Sequence, residues 1–205
     1  MIEKPSALPA VILAAGASRR LGQPKQLLHL PESPAESLLE RTLSCTLAAS
    51  FHPVFVVLGA QAAHIESAAQ LSKATIVRNP DWQQGMTSSI RSGVLAAIAA
   101  CPETTGLLLL VCDQPALTAD HLQALLAAHH QHPHKIIASR YANRPGVPIL
   151  APRSFFPDLL ALTGDTGARE ILRAEKNNLI EIPLPHGEWD IDAPEDVSAP
   201  QPRAT

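Results

Sequence analysis

Short apolar runs recur along the chain at intervals wide enough for a helix, at residues 10–14, 54–58, 75–77, 106–111 and 135–139. Between them lie alanine- and leucine-rich stretches at 38–49, 61–69, 88–100 and 119–130, each of a length suited to a crossover helix. Strands alternating with helices in this way predict an α/β fold, a three-layer sandwich with a mainly parallel, Rossmann-like sheet covered on both faces. Beyond Arg140 the beat weakens, because Pro145, Pro148, Pro152 and Pro157 interrupt it. A helix near 168–174 and a strand near 179–182 complete an excursion expected to cap the sheet. Residues 1–198 read as one domain, and 199–205, with two prolines, as a frayed tail.

In open sheets of this kind ligands bind outside the carboxyl ends of the strands. There the first strand runs into Val11-Ile12-Leu13-Ala14-Ala15-Gly16-Ala17-Ser18-Arg19-Arg20-Leu21-Gly22-Gln23-Pro24-Lys25, a loop with two glycines, two arginines and a lysine. Gly16 allows a positive φ or a close backbone approach to a ligand, which leaves bare amides facing outward. Arg20 can fork around phosphate oxygens while Lys25 adds a mobile point charge, so a triphosphate is the natural guest. Spacing excludes two familiar alternatives. A Walker-type loop needs Lys and Ser/Thr directly after its last glycine, whereas Gln23 and Pro24 intervene here and Gln26 follows Lys25. A dinucleotide fingerprint needs G-x-G-x-x-G, whereas Gly16 and Gly22 stand six apart.

Asp113 ends the apolar run Leu107-Leu108-Leu109-Leu110-Val111 and precedes Gln114-Pro115, so its carboxylate meets the same strand edge. A carboxylate there is a hard oxygen ligand of the sort Mg²⁺ takes one or two of, and it is also a residue that starts turns. Asp192-Ala193-Pro194-Glu195 reads as a capping box with proline in the first turn. Ser88 reads as a helix cap as well as a ligand contact. His129, His130, His132 and His134 cluster at a helix end broken by Pro133, where imidazoles complement the macrodipole and face water. Without a nearby cysteine or carboxylate they do not form a zinc site.

The remaining composition narrows the partners. With 16 Lys and Arg against 19 Asp and Glu, the net charge of −3 argues against nucleic acid as a partner. The absence of a long apolar run argues against a membrane span, and the first nine residues do not resemble a signal peptide, so a cytoplasmic setting is expected. Cys45, Cys101 and Cys112 lack C-x-x-C spacing and suit buried, reduced thiols.

The early loop resembles the Leu-Ala-Ala-Gly-x-Ser-x-Arg-Met-Gly-x-x-Lys signature of nucleotidyltransferases that activate sugars, isoprenoid precursors and molybdopterin, with Leu21 in place of Met. Four further segments extend the resemblance over nearly the whole chain: Asn79-Pro80-Asp81-Trp82-Gln83-Gln84-Gly85-Met86-Thr87-Ser88-Ser89, Cys112-Asp113-Gln114-Pro115, Gly164-Asp165-Thr166-Gly167-Ala168-Arg169 and Asp190-Ile191-Asp192-Ala193-Pro194-Glu195-Asp196. It is closest to the MobA/MocA-like enzymes, in particular the molybdenum cofactor cytidylyltransferases. The resemblance implies the fold of the nucleotide-diphospho-sugar transferases. It implies transfer of a nucleoside monophosphate, CMP from CTP with GTP as the alternative donor, to a phosphorylated acceptor such as molybdopterin.

Catalysis is then assigned to Arg20, Lys25 and Asp113. Nucleotide binding falls to Leu13, Ala14, Ala15, Gly16, Ser18, Arg20, Lys25, Asn79, Gln84, Gly85, Ser88 and Ser89. Mg²⁺, or Mn²⁺, falls to Asp113 with Asp192 favoured over Asp190, and the acceptor to Arg169 and Gly146. A molybdoenzyme or its chaperone would receive the product. Ala14-Ala15-Gly16 matches the cytidylyl members, the guanylyl enzymes having Ala-Gly-Gly. Val147 departs from the histidine usual in relatives, which leaves the acceptor open. Isoprenoid or sugar-phosphate acceptors, and a nucleotide-binding accessory protein without turnover, are the competing readings.

Overall fold

The computed structural model describes residues 8–31, 33–164, 167, 172–173, 175 and 178–197. Within them run strands β1 (Ala10–Ala14), β2 (His29–Leu30), β3 (Ser33–Ser37), β4 (Val54–Leu58), β5 (Thr75–Arg78), β6 (Gly106–Val111), β7 (Ile136–Tyr141), β8 (Arg144–Pro152) and β9 (Leu179–Pro183). The main helices are α1 (Leu38–Ala48), α2 (Ala62–Ala68), α3 (Met86–Ala100), α4 (Ala119–Gln131) and α5 (Phe156–Ala161), and a last helical turn spans Pro194–Val197. Seven of the described strands form one sheet in the order β5-β4-β1-β6-β8-β7-β9, and β2 and β3 pair separately. Every neighbouring pair in the large sheet is parallel except the two made by β8. This is the α/β sandwich expected from the alternation of strands and helices.

The period of two along each strand sorts the apolar side chains onto two faces. Ile12, Val56, Leu58, Leu108 and Leu110 pack with Leu39 and Leu43 of α1, Ile65 of α2 and Leu122 and Leu125 of α4. Val11, Leu13, Val57, Leu107 and Leu109 pack with Ile90 and Val94 of α3 and Phe156 and Leu159 of α5. α1 begins on a complete capping box, in which the Glu40 amide donates to Ser37 Oγ and the Ser37 amide to Glu40 Oε2. No described helix is long and apolar enough to cross a membrane.

The region after Arg140 departs from expectation. Residues 144–152 do not cap the sheet; they form its longest strand, inserted between β6 and β7. The hairpin entering β8 turns on Ala142 and Asn143, both left-handed, the geometry that favours a tight antiparallel connection. Pro148 fits because the register shifts between Ala138 and Ser139, leaving Val147 and Pro148 where the ladder is interrupted, whereas Pro145 stays opposite Arg140 and Pro152 ends the strand opposite Gly106. Pro157 likewise enters the first turn of α5 rather than breaking a helix. The expected strand near 179–182 is β9, at the sheet edge. The expected helix near 168–174 lies largely outside the described residues, as do residues 198–205.

Candidate functional site

β1 sends its neighbours to opposite sides, β4 to one and β6 to the other, so a crevice opens beyond the carboxyl ends of β1 and β6. Leu13 is in register with Val111, which brings the loop after Ala14 beside Cys112 and Asp113. The loop is held by its own backbone and by a small core. Ser18 is left-handed, with φ 49°; its carbonyl accepts from the Leu21 amide and its Oγ from the Lys25 amide. Gly22 carries φ +69°, and Lys25 opens a single 3-10 turn. Leu21 is buried with Leu30, Leu38 and Ile191, and so ties the loop to the closing acidic segment. Of the two roles open to Gly16, a positive φ is not found; a Cβ there would meet nothing within 4 Å, and the residue borders open cavity where a ligand can approach its backbone.

The charged centre of the crevice is Lys25. Its Nζ donates to Asp113 Oδ2 at 2.5 Å and to Asp192 Oδ1 at 2.7 Å, with both Lys25 and Asp113 mostly buried. Arg20, exposed, reaches the other oxygen of Asp192 at 2.8 Å. Burial alone would pull the Lys25 pKa down, but the Asp113 and Asp192 carboxylates outweigh it and hold the ammonium well above its usual range. The bond from Lys25 in turn holds the Asp192 carboxyl below its usual range, with further help from Arg20. The two acids are brought together by one backbone and one side-chain bond: the Ile191 amide donates to the Asp113 carbonyl at 3.0 Å, and the Gln114 side-chain Nε2 to the Gly187 carbonyl at 2.9 Å.

The capping reading of Asp192 is corrected here. Its side chain faces Lys25, and Asp196 instead accepts from the backbone amides of Asp192 and Ala193. Ser88 does not open α3 either. The helix starts at Met86, and the single proton of Ser88 Oγ is shared between the Asp81 and Gly85 carbonyls, each 2.9 Å away. Asp190, half-buried two residues earlier, is not one of the two acids that accept from Lys25.

A cavity of about 340 Å³ opens beside this centre. Of the expected nucleotide contacts, Leu13, Ala14, Ala15, Gly16, Ser18, Lys25, Gly85 and Ser89 line it, together with Asp113. Arg19 lines it, whereas Arg20 points at Asp192. Asn79, Gln84 and Ser88 border a separate polar cavity of about 270 Å³ on the flank of α3. There Asn79 Nδ2 donates to Ser88 Oγ and Ser89 Oγ and so braces the helix start. Gly146 is buried under the Tyr141 ring, where any Cβ would collide with the phenol. Gly164 accepts from Thr87 Oγ1 and Gly167 faces Met86, but Arg169 lies outside the described residues.

Among the wall residues that escape a search for charged and glycine signatures are Trp82, Met86 and Gln26. Trp82 and Met86 lie inside the quoted Asn79–Ser89 segment, where an aromatic and a thioether beside small residues are the readable sign of an apolar face. Cys112 also lines the cavity; burial first, and Asp113 second, push its thiol up to about 12, so it stands protonated. Cys45 and Cys101 are only half-buried. Among the histidines expected to face water, His130, His132 and His134 are exposed, but His129 is buried against Gly106.

Asp113 and Asp192 aim carboxylate oxygens at one cation, the Lys25 ammonium, so the pair fits a hard divalent ion that takes few protein ligands. Among the described residues no group of three or more His, Cys, Asp or Glu could hold a metal.

The model of the MobA-like NTP transferase domain matches residues 10–179. Nicotine blue oxidoreductase of Paenarthrobacter nicotinovorans is 35% identical over 181 residues, covering 84% of each chain. Molybdenum cofactor cytidylyltransferase of Escherichia coli K12 is 27% identical and covers 98% of each. The solved manganese complex of Rv0371C from Mycobacterium tuberculosis H37Rv superposes with a TM-score of 0.73 at 26% identity, covering 94% of this chain and 97% of that one.

Proposed function

The chain belongs to the MobA-like NTP transferase family, and from that premise we propose that it transfers CMP from CTP to a phosphorylated acceptor, molybdopterin or a molybdenum cofactor, with release of pyrophosphate. The observation that carries this reading is the Lys25 ammonium clamped between Asp113 and Asp192 at the mouth of a cavity walled by the Gly16 loop.

An acceptor phosphate oxygen attacks the α-phosphorus, the bond from that phosphorus to the β-phosphate bridging oxygen breaks, and pyrophosphate leaves with the bonding pair. Such chemistry needs no side-chain nucleophile, only alignment and charge neutralisation. Lys25 neutralises the α-phosphate, and Arg20, exposed beside Asp192, takes the departing pyrophosphate. Asp113 and Asp192 would hold Mg²⁺ or Mn²⁺, which when bound offsets charge on the phosphate oxygens; the manganese complex of the mycobacterial relative supports this assignment. Ala15, Trp82 and Met86 give the cavity an apolar wall, and the Ala15 methyl narrows it in a way that suits a pyrimidine.

The test is pyrophosphate release from each nucleoside triphosphate, offered molybdopterin, an isoprenoid phosphate and a sugar phosphate. CTP with molybdopterin is expected to react fastest. Preference for GTP in competition overturns the base assignment, and preference for another phosphate overturns the acceptor. Asp113→Ala is expected to abolish release while the chain stays folded; retained release would remove Asp113 from the chemistry. A relative named as an oxidoreductase raises the question of redox chemistry. This chain lacks the dinucleotide glycine array, and its cavity thiol is protonated, so transfer is the reading kept.

A further inference from the structure

Gln26 follows Lys25 on the same 3-10 turn, but where Lys25 meets charge, Gln26 is 1% exposed. Its Nε2 donates twice, to the Ala14 carbonyl at 2.7 Å and to the Gly16 carbonyl at 3.0 Å. Both amide protons are therefore spent on the two carbonyls that flank Ala15. Its own Oε1 is buried without a partner, and a buried carbonyl left unsatisfied is destabilising. A residue chosen for packing alone would be Met, which fills the same length without that penalty. What Gln supplies and Met cannot is the pair of donated bonds.

Those bonds orient the loop. In a trans peptide the carbonyl of one residue and the amide of the next point in opposite directions. Turning the Ala14 and Gly16 carbonyls inward, toward a buried side chain, turns the Ala15 and Ala17 amides outward. Outward is the cavity, which Ala15, Gly16 and Ala17 all line and where nothing stands within 4 Å of a Cβ built on Gly16. Two amides aimed to one side form a concavity for an anion.

Resting on the nucleotide reading above, we propose that Gln26 is a positioning residue: its amide, spanning the Ala14 and Gly16 carbonyls, presents the Ala15 and Ala17 amides to the phosphates of the bound triphosphate. Lys25 and Gln26 then divide one task between adjacent residues, charge from the first and amide orientation from the second.

The experiment compares wild type with Gln26→Met and Gln26→Asn, the first without donors and the second too short to span both carbonyls. Tripolyphosphate and Mn²⁺ are titrated separately into each folded protein, and CTP into the wild type. Tripolyphosphate affinity is expected to fall about tenfold or more in Gln26→Met, the scale of losing oriented amide donors, with Mn²⁺ affinity unchanged within about twofold. Equal losses for both probes would indicate a loosened site and overturn the proposal, as would unchanged tripolyphosphate affinity. Should Gln26→Met not fold, Gln26→Asn decides by the same criteria; failure of both to fold makes Gln26 a folding residue and overturns it too. A wild type that binds neither tripolyphosphate nor CTP would instead remove the nucleotide reading itself.

Discussion

At the scale of the residue, Lys25 holds two carboxylates that would otherwise repel each other, and it sits where a divalent ion would also be held. Removing the ammonium therefore has opposite effects on binding and on turnover. In Lys25→Met, kcat for pyrophosphate release is expected to fall at least about 10²-fold, as for loss of a preorganised transition-state contact. Mn²⁺ affinity without nucleotide is expected to rise, because the competing cation is gone; weaker Mn²⁺ binding would mean that Lys25 does not stand in the ion's place. The apolar wall has its own test at Gly59. A Cβ there would lie 2.5 Å from Trp82 Cβ and 2.9 Å from the Ala15 methyl. Gly59→Ala must displace Trp82, at a cost of about 1–3 kcal/mol of stability. The KM for CTP should rise more than kcat falls, and equal effects on the two would separate Trp82 from substrate binding. Lys25 and Asp113 are legible in the chain because each breaks a run of the opposite character, a cation in a glycine loop and an acid ending an apolar strand. Gln26 is not, because an amide acquires its role only from what folding places against it.

At the scale of the element, α3 connects the sheet to the cavity: its first residues, Met86 and Ser89, line the cavity and its middle rests on β1 and β4. Contact is close because Gly93 lacks a side chain where α3 crosses the sheet. A Cβ at that position would collide with Val11 and lie 2.9 Å from Val57 Cγ2. Gly93→Ala is expected to lift the helix and cost about 1–3 kcal/mol, although alanine is the better helix former. A urea titration should show a lower midpoint at an unchanged slope, while an unchanged or raised midpoint would mean that the helix has room to spare. The parallel half of the sheet is readable from periodicity because strands buried on both faces are apolar throughout and their crossovers have helical length. β8 is not, since prolines ordinarily argue against an interior strand. The offset between Ala138 and Ser139 in its partner leaves Pro148 outside the paired register, and that offset is a property of two strands together. The same limit explains Asp192, whose capping pattern is satisfied by Asp196 once Lys25 claims the carboxylate.

At the scale of the whole molecule, the half of the sheet beyond β6 is fastened by a polar pin. His121 of α4 is buried; its Nε2 lies 2.8 Å from Ser139 Oγ in β7, which donates in turn to the Pro148 carbonyl of β8 at 2.9 Å. Because Ser139 spends its proton on Pro148, its oxygen accepts from His121, which assigns the neutral ring its Nε2 proton. Burial holds the His121 pKa below its ordinary 6.5, against a smaller opposing pull from the Pro183 carbonyl of β9. His129, on the same helix, is depressed first by burial and then by His130 and His134. Both rings bind protons more weakly folded than unfolded, so the unfolded chain takes up more protons as pH falls. Their stabilising contribution is complete above pH 6.5 and drains as pH falls through the folded values. Asp192, also depressed, gives way in a separate window below its ordinary 3.8. Melting temperature followed from pH 8 to pH 5 should therefore decline through the histidine range, before the carboxylates titrate. His121→Gln keeps a donor toward Ser139 but cannot titrate, and its decline should be shallower. Ser139→Ala strips the pin of its middle member and should cost about 1–3 kcal/mol at pH 8. A decline of the same steepness in His121→Gln would leave His129 as the group that senses acid, and His129→Gln would then have to flatten the curve for burial of imidazole to remain the cause.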